Sequence, residues 1–189
     1  MKEVSRKEEI IKTAAKLFKE KGYSAVTMRD IATAMGIKAA SLYNHITSKQ
    51  DILKTIIISL AEEFTQGMEN IKSSNVSSLN KLKEVITLHI SITSQNTYGM
   101  ASLNNDWMHL EEQLPYYLEL RSNYENEFRT ILNEGIGNKE FANSDVEVML
   151  FSMLSTLRSL YIWIPKKDDL NSEELSNSLS HILINGINK

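Results

Sequence analysis

The sequence predicts an all-α protein, and three observations carry that expectation. Apolar residues recur at three- and four-residue spacing along most of the chain, only two prolines and seven glycines interrupt its 189 residues, and helix-capping signals punctuate the stretches between. With 42% hydrophobic residues the chain can bury a sizeable core in one or two domains. It has no cysteine, which excludes a disulfide framework, a thiolate zinc site and cysteine catalysis. The opening residues MKEVSRKEE lack the apolar core of a signal peptide, and no unbroken run reaches the roughly 18 apolar residues of a membrane span. The expectation is a cytoplasmic protein with no membrane partner.

Taken in order, Arg6 to Lys21 reads as a first helix with Ile10, Ile11, Ala14, Leu17 and Phe18 on one stripe, ended by Gly22. Thr27 caps a second, whose apolar face is Met28, Ile31, Ala32 and Met35, and Gly36 supplies the left-handed backbone that ends it. Helical spacing resumes at once from Ala39 to about Asn44, a stretch too short to be stable without packing. Two short helices joined by a tight turn make a helix-turn-helix, whose second helix can enter a DNA major groove.

The box T-S-K-Q at 47–50 caps a long helix from about Ser48 to Lys72, with Ile52, Ile56, Leu60, Phe64 and Met68 along it, and SSNVSSLN at 73–80 reads as a loop. Leu79 to Gln95 is helical, TYG at 97–99 interrupts, and Met100 to Leu110 forms another helix. Pro115 opens a longer one from Tyr116 to about Glu134, closed by Gly135 and Gly137. Ser144 and Glu147 box the start of a helix over 145–164, which Pro165 stops; Asn171 with Glu174 caps the last, through about Gly186. The expected organisation is a DNA-binding domain over 1–47 and a ligand-binding and dimerisation domain over 48–189, with 48–72 as the connecting helix.

Charge supports that division. Residues 1–50 hold ten Lys or Arg against five acids, a net of +5, so the remainder carries −8 of the overall −3. Such asymmetry is expected when one part meets phosphate. At the start of the helix-turn-helix's second helix, Lys38, Ala39 and Ser41 are the candidates for base edges, Lys38 as a donor to guanine and the alanine methyl against thymine. Thr27, Tyr43, His45 and Lys49 have donors suited to phosphates, and the amides after Ser48 also favour an anion. The partner so implied is double-stranded DNA.

The pattern T-x-x-x-I-A-x-x-x-G-I over 27–37, then L-Y-x-H over 42–45 and S-K-x-D-I-L over 48–53, resembles the DNA-binding domain of TetR-family transcriptional regulators. The resemblance implies the same roles for these residues. Three positions depart from the family pattern: Ala40 where Gly is common, Ile46 where Phe is common, and Lys38 where Ser or Thr often caps the helix. None removes a donor, but an operator sequence does not carry over.

The helix over 145–164 is apolar on nearly every face and needs covering on more than one side. A hairpin with the last helix (Leu175, Leu179, Ile182, Leu183, Ile187), paired across a two-fold axis, gives a homodimer through the last two helices, as TetR-like proteins dimerise. A ligand pocket has candidate walls in Trp107, Tyr116, Tyr117, Tyr124, Phe128, Met149, Met153 and Trp163, with His89, Asn105, Arg121 and Arg158 as polar anchors. Arg158, the only charge between Glu147 and Lys166, needs an anionic partner if buried. E-x-x-L at 111–114, R-x-x-Y-E at 121–125, I-x-x-x-G-I at 131–136, Glu140 with Phe141, Trp163 and L-N-S-E-E-L at 170–175 are similar to family members that sense acyl-CoA thioesters. That likeness implies CoA phosphate contact at Arg121 or Arg158, and thioester chain or adenine contact at Trp163.

The expected protein is a homodimeric regulator, a repressor released by a small hydrophobic or acyl-CoA-type effector, with no metal and no cofactor. The alternative is a DNA-bound adaptor that recruits a protein partner and senses no small molecule. An enzyme is disfavoured: His45, His89, His109 and His181 are dispersed, and no HExxH, GxSxG or P-loop occurs.

Overall fold

The structure is a computed structural model, and it describes residues 5–167 and 171–186. Lys2 and Glu3 of the charge count, Leu170 of the acyl-CoA-like stretch and Ile187 of the last helix lie outside the described residues. Among the described residues there are nine α-helices and no strand. They are α1 (Arg6–Lys21), α2 (Met28–Ala34), α3 (Ala39–Leu42), α4 (Lys49–Ser73), α5 (Ser78–Gln95), α6 (Thr97–Asn105), α7 (Leu114–Gly137), α8 (Val146–Trp163) and α9 (Ser172–Asn185), with 3₁₀ turns at Trp107–His109, Glu111–Gln113 and Ile164–Lys166.

Local chemistry sets most of the ends. Ser5 and Glu8 form a reciprocal capping box on α1, and Thr27 and Asp30 form another on α2; each cap is worth about 1 kcal/mol. After α2, Gly36 takes φ +67 and Ile37 N–H donates back to the Ala32 carbonyl at 3.0 Å, which closes the helix and turns the chain directly into α3.

Five boundaries differ from expectation: the helix expected to reach Leu110 ends at Asn105 and gives way to the 3₁₀ turn Trp107–His109, and the other four differ for local reasons. At α4 the cap is one residue later than T-S-K-Q: the Ser48 hydroxyl accepts from Asp51 N–H at 3.0 Å, and the Asp51 carboxylate accepts from Thr47 N–H and Oγ1–H. TYG does not interrupt. The break is at Asn96, and Gly99 sits within α6 because a Cβ there would come to 3.0 Å of Leu60. Gly135 likewise lies inside α7, where the Phe141 ring occupies the space a side chain would need. Finally, Asp145 rather than Ser144 caps α8, accepting from Glu147 and Val148 N–H, while Glu147 turns to Arg129 at 2.6 Å.

The described residues form two compact units, one of those up to residue 61 together with 98–118, the other of residues 62–97 and those from 119 on. In the first, α1, α2 and α3 pack together on Ile10, Ala14, Phe18, Ile31 and Leu42, with Ile46, Ile52, Leu53 and Ile57 buried beside them. Each buried Ile, Leu or Phe among them contributes about 1.5–3 kcal/mol. In the second, α5 packs against both α8 and α9, over a core that includes Leu82, Val85, Ile86, Phe128 and Leu157.

The last helix buries a different face from the one its leucines predicted. Ser176 and Ser180 are its buried residues, and the Ser176 hydroxyl is 2.6 Å from that of Thr87 on α5. Small residues at the crossing let the two helices approach closely. Leu175, Leu179 and Leu183 are consequently half-buried, and Ile182 is exposed. On α8, Leu150, Met153, Leu154, Leu157 and Leu160 are buried, while Val148, Phe151, Ile162 and Trp163 are exposed. By length and composition alone Val146–Lys166 is apolar enough to cross a membrane, at mean hydropathy 1.3. No unbroken apolar run marks it in the sequence, because Ser152, Ser155, Thr156, Arg158 and Ser159 punctuate it. Core helices of soluble proteins, mostly buried, pass the same test; in this one 28% of the apolar window is buried.

Candidate nucleic-acid interface and effector site

Within the first unit, α3 is four residues long and held by one buried side chain, Leu42, at 0% exposure. Most of the side chains around that anchor face solvent. Lys38, Ala40, Ser41, Asn44 and His45 are exposed, Ala39 is half-buried, and the Tyr43 ring is 56% exposed rather than folded into the core. Ile46 fills the apolar position that follows, at 1% exposure. Lys38 is the residue before α3 and makes no side-chain cap, so its ammonium is not tied to the helix end.

Two of the expected phosphate contacts have work inside the unit. The Thr27 hydroxyl donates to Asp30 Oδ2 at 2.5 Å and accepts from Asp30 N–H, and this hydrogen bonding holds the Asp30 carboxyl below its usual range. Lys49 Nζ donates to the carbonyls of Tyr23 at 2.9 Å and Val26 at 2.8 Å and lies 4.2 Å from the Tyr23 ring centroid. It ties the first turn of α4 to the turn between α1 and α2. An ammonium has three N–H donors, which leaves one outside these two bonds.

Tyr23 is the residue that sequence reasoning missed. Its hydroxyl donates to Gln50 Oε1 at 2.6 Å, Gln50 Nε2 donates to the His109 carbonyl at 2.6 Å, and the Tyr23 and His109 rings stack at 5.2 Å. Burial, with Glu111 and Asp106 nearby, pushes the phenol up, so it stays a donor. Only the tertiary fold brings residues 23, 50 and 109 together; no spacing in the chain signals it.

In the second unit, His89 on α5 and Tyr124 on α7 are buried together, with His89 Nε2 2.8 Å from the Tyr124 hydroxyl. Phe64 packs on both, its ring centroid 4.7 Å from His89 and 5.9 Å from Tyr124. Burial, aided by the Arg158 charge, lowers the His89 pKa to about 3, and burial raises that of Tyr124. Both are neutral at pH 7. Phe128 and Met153 are buried in the same unit. The partner that Arg158 needed is Glu125, at 2.6 Å, and the same carboxylate oxygen accepts from Arg121 Nε at 3.2 Å. Burial would raise Glu125, but the two guanidinium groups outweigh it and hold the carboxyl below its usual range.

Two predicted anchors lie elsewhere. Trp107 is in the first unit, stacked on Tyr117 at 5.9 Å. Trp163 is 42% exposed, with Lys167 Nζ 5.0 Å from its ring centroid. Two grooves in the second unit, of about 340 and 540 Å³, run along α5 and α9 and are lined mainly by Ser, Thr and Asn; none of the predicted ligand residues lines either. Among the described residues no group of three His, Asp or Glu side chains is placed to hold a metal ion.

A family model described as bacterial regulatory proteins, tetR family, matches residues 10–56, and one described as tetracyclin repressor-like, C-terminal domain, matches residues 75–187. The chain belongs to the TetR family. Among its relatives, the HTH-type transcriptional repressor KstR2 of Rhodococcus jostii is 29% identical over 147 residues, covering 77% of this chain and 72% of that one. The fatty acid metabolism regulator protein of Bacillus subtilis is 26% identical over 188 residues, covering 95% and 94%. The structure of the ketosteroid transcriptional regulator KstR2 of Mycobacterium tuberculosis aligns with a TM-score of 0.89 at 23% identity, covering 98% of this chain and 96% of that one, which speaks for the fold.

As a member of the TetR family the chain is a DNA-binding transcriptional regulator and not an enzyme. The helix-turn-helix read from residues 27–45 lies within the first matched segment, and α3 is its second helix. TetR-family regulators typically act as dimers that answer small molecules.

Proposed function

We propose that this TetR-family chain is a repressor that binds a palindromic operator as a homodimer in the cytoplasm and is released by a small hydrophobic or acyl-CoA-type effector. Residues 1–47 act as the reading head and 48–189 as the ligand-binding and dimerisation domain, with 48–72 connecting them. The observation that carries the reading is the exposure around α3: one buried leucine holds a four-residue helix whose flanks offer Lys38, Ser41, Tyr43 and His45 to solvent. Lys38, Ala39 and Ser41 read base edges; Tyr43 and His45 take phosphates, with Thr27 and the remaining N–H of Lys49 as secondary contacts.

Dimerisation through α8 and α9 is supported by the bare apolar face of Val148, Phe151, Ile162, Trp163 and Ile182, at 61, 72, 48, 42 and 46% exposure. Effector binding in the second domain is supported by the buried His89, Tyr124, Phe128 and Met153, with the Arg121 and Arg158 guanidinium groups, both on Glu125, as the candidates for CoA phosphate contact. Trp107 and Trp163 are the outlying members of that set. Ligand acts by preferring the DNA-incompetent state; about 1–3 kcal/mol of preference weakens operator binding roughly 5- to 150-fold. The test is operator binding with and without a long-chain acyl-CoA, by fluorescence anisotropy. Release at micromolar acyl-CoA is expected, and affinity unchanged at saturating acyl-CoA contradicts that effector class.

A further inference from the structure

We propose that His89 and Thr93 form a two-donor recognition point for a carbonyl oxygen at the buried end of the effector. The proposal rests on the reading that the second unit binds a small molecule. His89 and Thr93 lie four residues apart on α5, so their side chains share one face about 5–6 Å apart at Cβ. Both are buried, at 3% and 0% exposure. Yet His89 Nδ1 and Thr93 Oγ1 have no hydrogen-bond partner in the structure. Buried polar atoms are rarely left in that state, and each costs roughly 1–3 kcal/mol when they are. Two on one helix face are what an incoming polar group would satisfy.

The chemistry of that group follows from the far side of the ring. Tyr124 is a protonated phenol whose hydroxyl meets His89 Nε2. If Tyr124 donates, Nε2 accepts and the ring proton sits on Nδ1, leaving one unmet donor. The reverse tautomer leaves both the phenolic hydrogen and Nδ1 unmet. The first is therefore the stable arrangement. It presents an N–H on the same helix face as the Thr93 O–H, and two donors match the two lone pairs of one carbonyl oxygen. The imidazole is neutral, Phe64 packs on it, and the guanidinium whose charge reaches it, Arg158, is already paired with Glu125, so a neutral oxygen suits these donors better than a desolvated carboxylate. An ester, thioester, ketone or amide carbonyl fits.

The test uses the full-length protein, wild type and Thr93→Val, with decanoyl-CoA and its thioether S-decyl-CoA, which differ only in the carbonyl oxygen. Wild type should bind decanoyl-CoA roughly 5- to 100-fold more tightly than the thioether, and Thr93→Val should lose most of that preference, by isothermal titration calorimetry. Without ligand, Thr93→Val should raise the melting temperature, because it removes an unmet hydroxyl at nearly constant shape. Equal binding of the two probes to wild type, or a preference that survives in Thr93→Val, overturns the proposal while leaving the effector site standing. A lowered ligand-free melting temperature also overturns it, since the hydroxyl then already has a partner such as a buried water. Binding of neither probe counts against the acyl-CoA reading itself and removes the proposal with it.

Discussion

Acid should weaken this fold partly through one buried ring. His89 has a folded pKa of about 3 against an ordinary 6.5, because burial, and secondarily the Arg158 charge, penalise the imidazolium. Between those two values the unfolded chain binds a proton that the folded chain refuses, so stability rises with pH across that window and falls as pH drops below 6.5. At about 1.36 kcal/mol per pH unit, the loss from this residue alone is roughly 2 kcal/mol at pH 5 and approaches 5 near pH 3. Other groups contribute to acid lability as well; the difference between wild type and His89→Gln isolates this one. Gln keeps a hydrogen bond to Tyr124 without a titrating group. Urea unfolding at pH 7 and pH 5 should show wild type losing about 2 kcal/mol more than His89→Gln over that interval. Parallel losses in the two proteins would refute the assignment of His89 as a buried neutral imidazole.

Three further outcomes follow from the same structure. Tyr43→Ala should weaken binding to all DNA sequences alike while leaving the salt slope in place, because a neutral phenol on a phosphate releases no counterion, read by anisotropy across a salt series; unchanged affinity at every salt removes that contact. Phe151→Glu, at a 72% exposed position, should leave the melting of a monomer nearly intact but shift sedimentation toward monomer, whereas an unaltered dimer places the interface elsewhere. Gly135→Ala should destabilise by about 1–3 kcal/mol in thermal unfolding despite the better helix propensity of alanine, because the new methyl needs the space of the Phe141 ring; a rise in stability would show that the ring moves aside freely.

The helical plan was legible because it is local. Periodicity placed α1 at Arg6–Lys21, and Thr27, Gly36 and Asn171 did at the helix ends what their side chains and backbone freedom allow. The errors came where tertiary packing overrules a local signal. Gly99 and Gly135 read as breaks, yet each is a helix residue made small by a neighbour, Leu60 in one case and Phe141 in the other. The last helix hides its serines and leaves its leucines half-covered, which no moment computed along one helix reveals, since the deciding partner is Thr87 on α5.

The candidate sites divide in the same way. The exposure of Lys38, Ser41 and Tyr43 follows from a short helix with one apolar anchor, and the sequence carries that pattern. The inward commitment of Lys49 does not, because its acceptors, the Tyr23 and Val26 carbonyls, are 26 and 23 residues away. Arg158 was recognisable as a charge in need of a partner, but Glu125 could be named only once α7 and α8 were in place. The unmet atoms of His89 and Thr93 had no sequence signature at all.

The central claim is that two copies of α3 read two related half-sites. Selection of bound duplexes from a random pool by the full-length protein tests it most directly. An enriched inverted repeat with half-sites about 10 base pairs or a multiple apart is expected, and a changed half-site when Lys38 or Ser41 is replaced. A single unrepeated motif, or enrichment that ignores both substitutions, would contradict it.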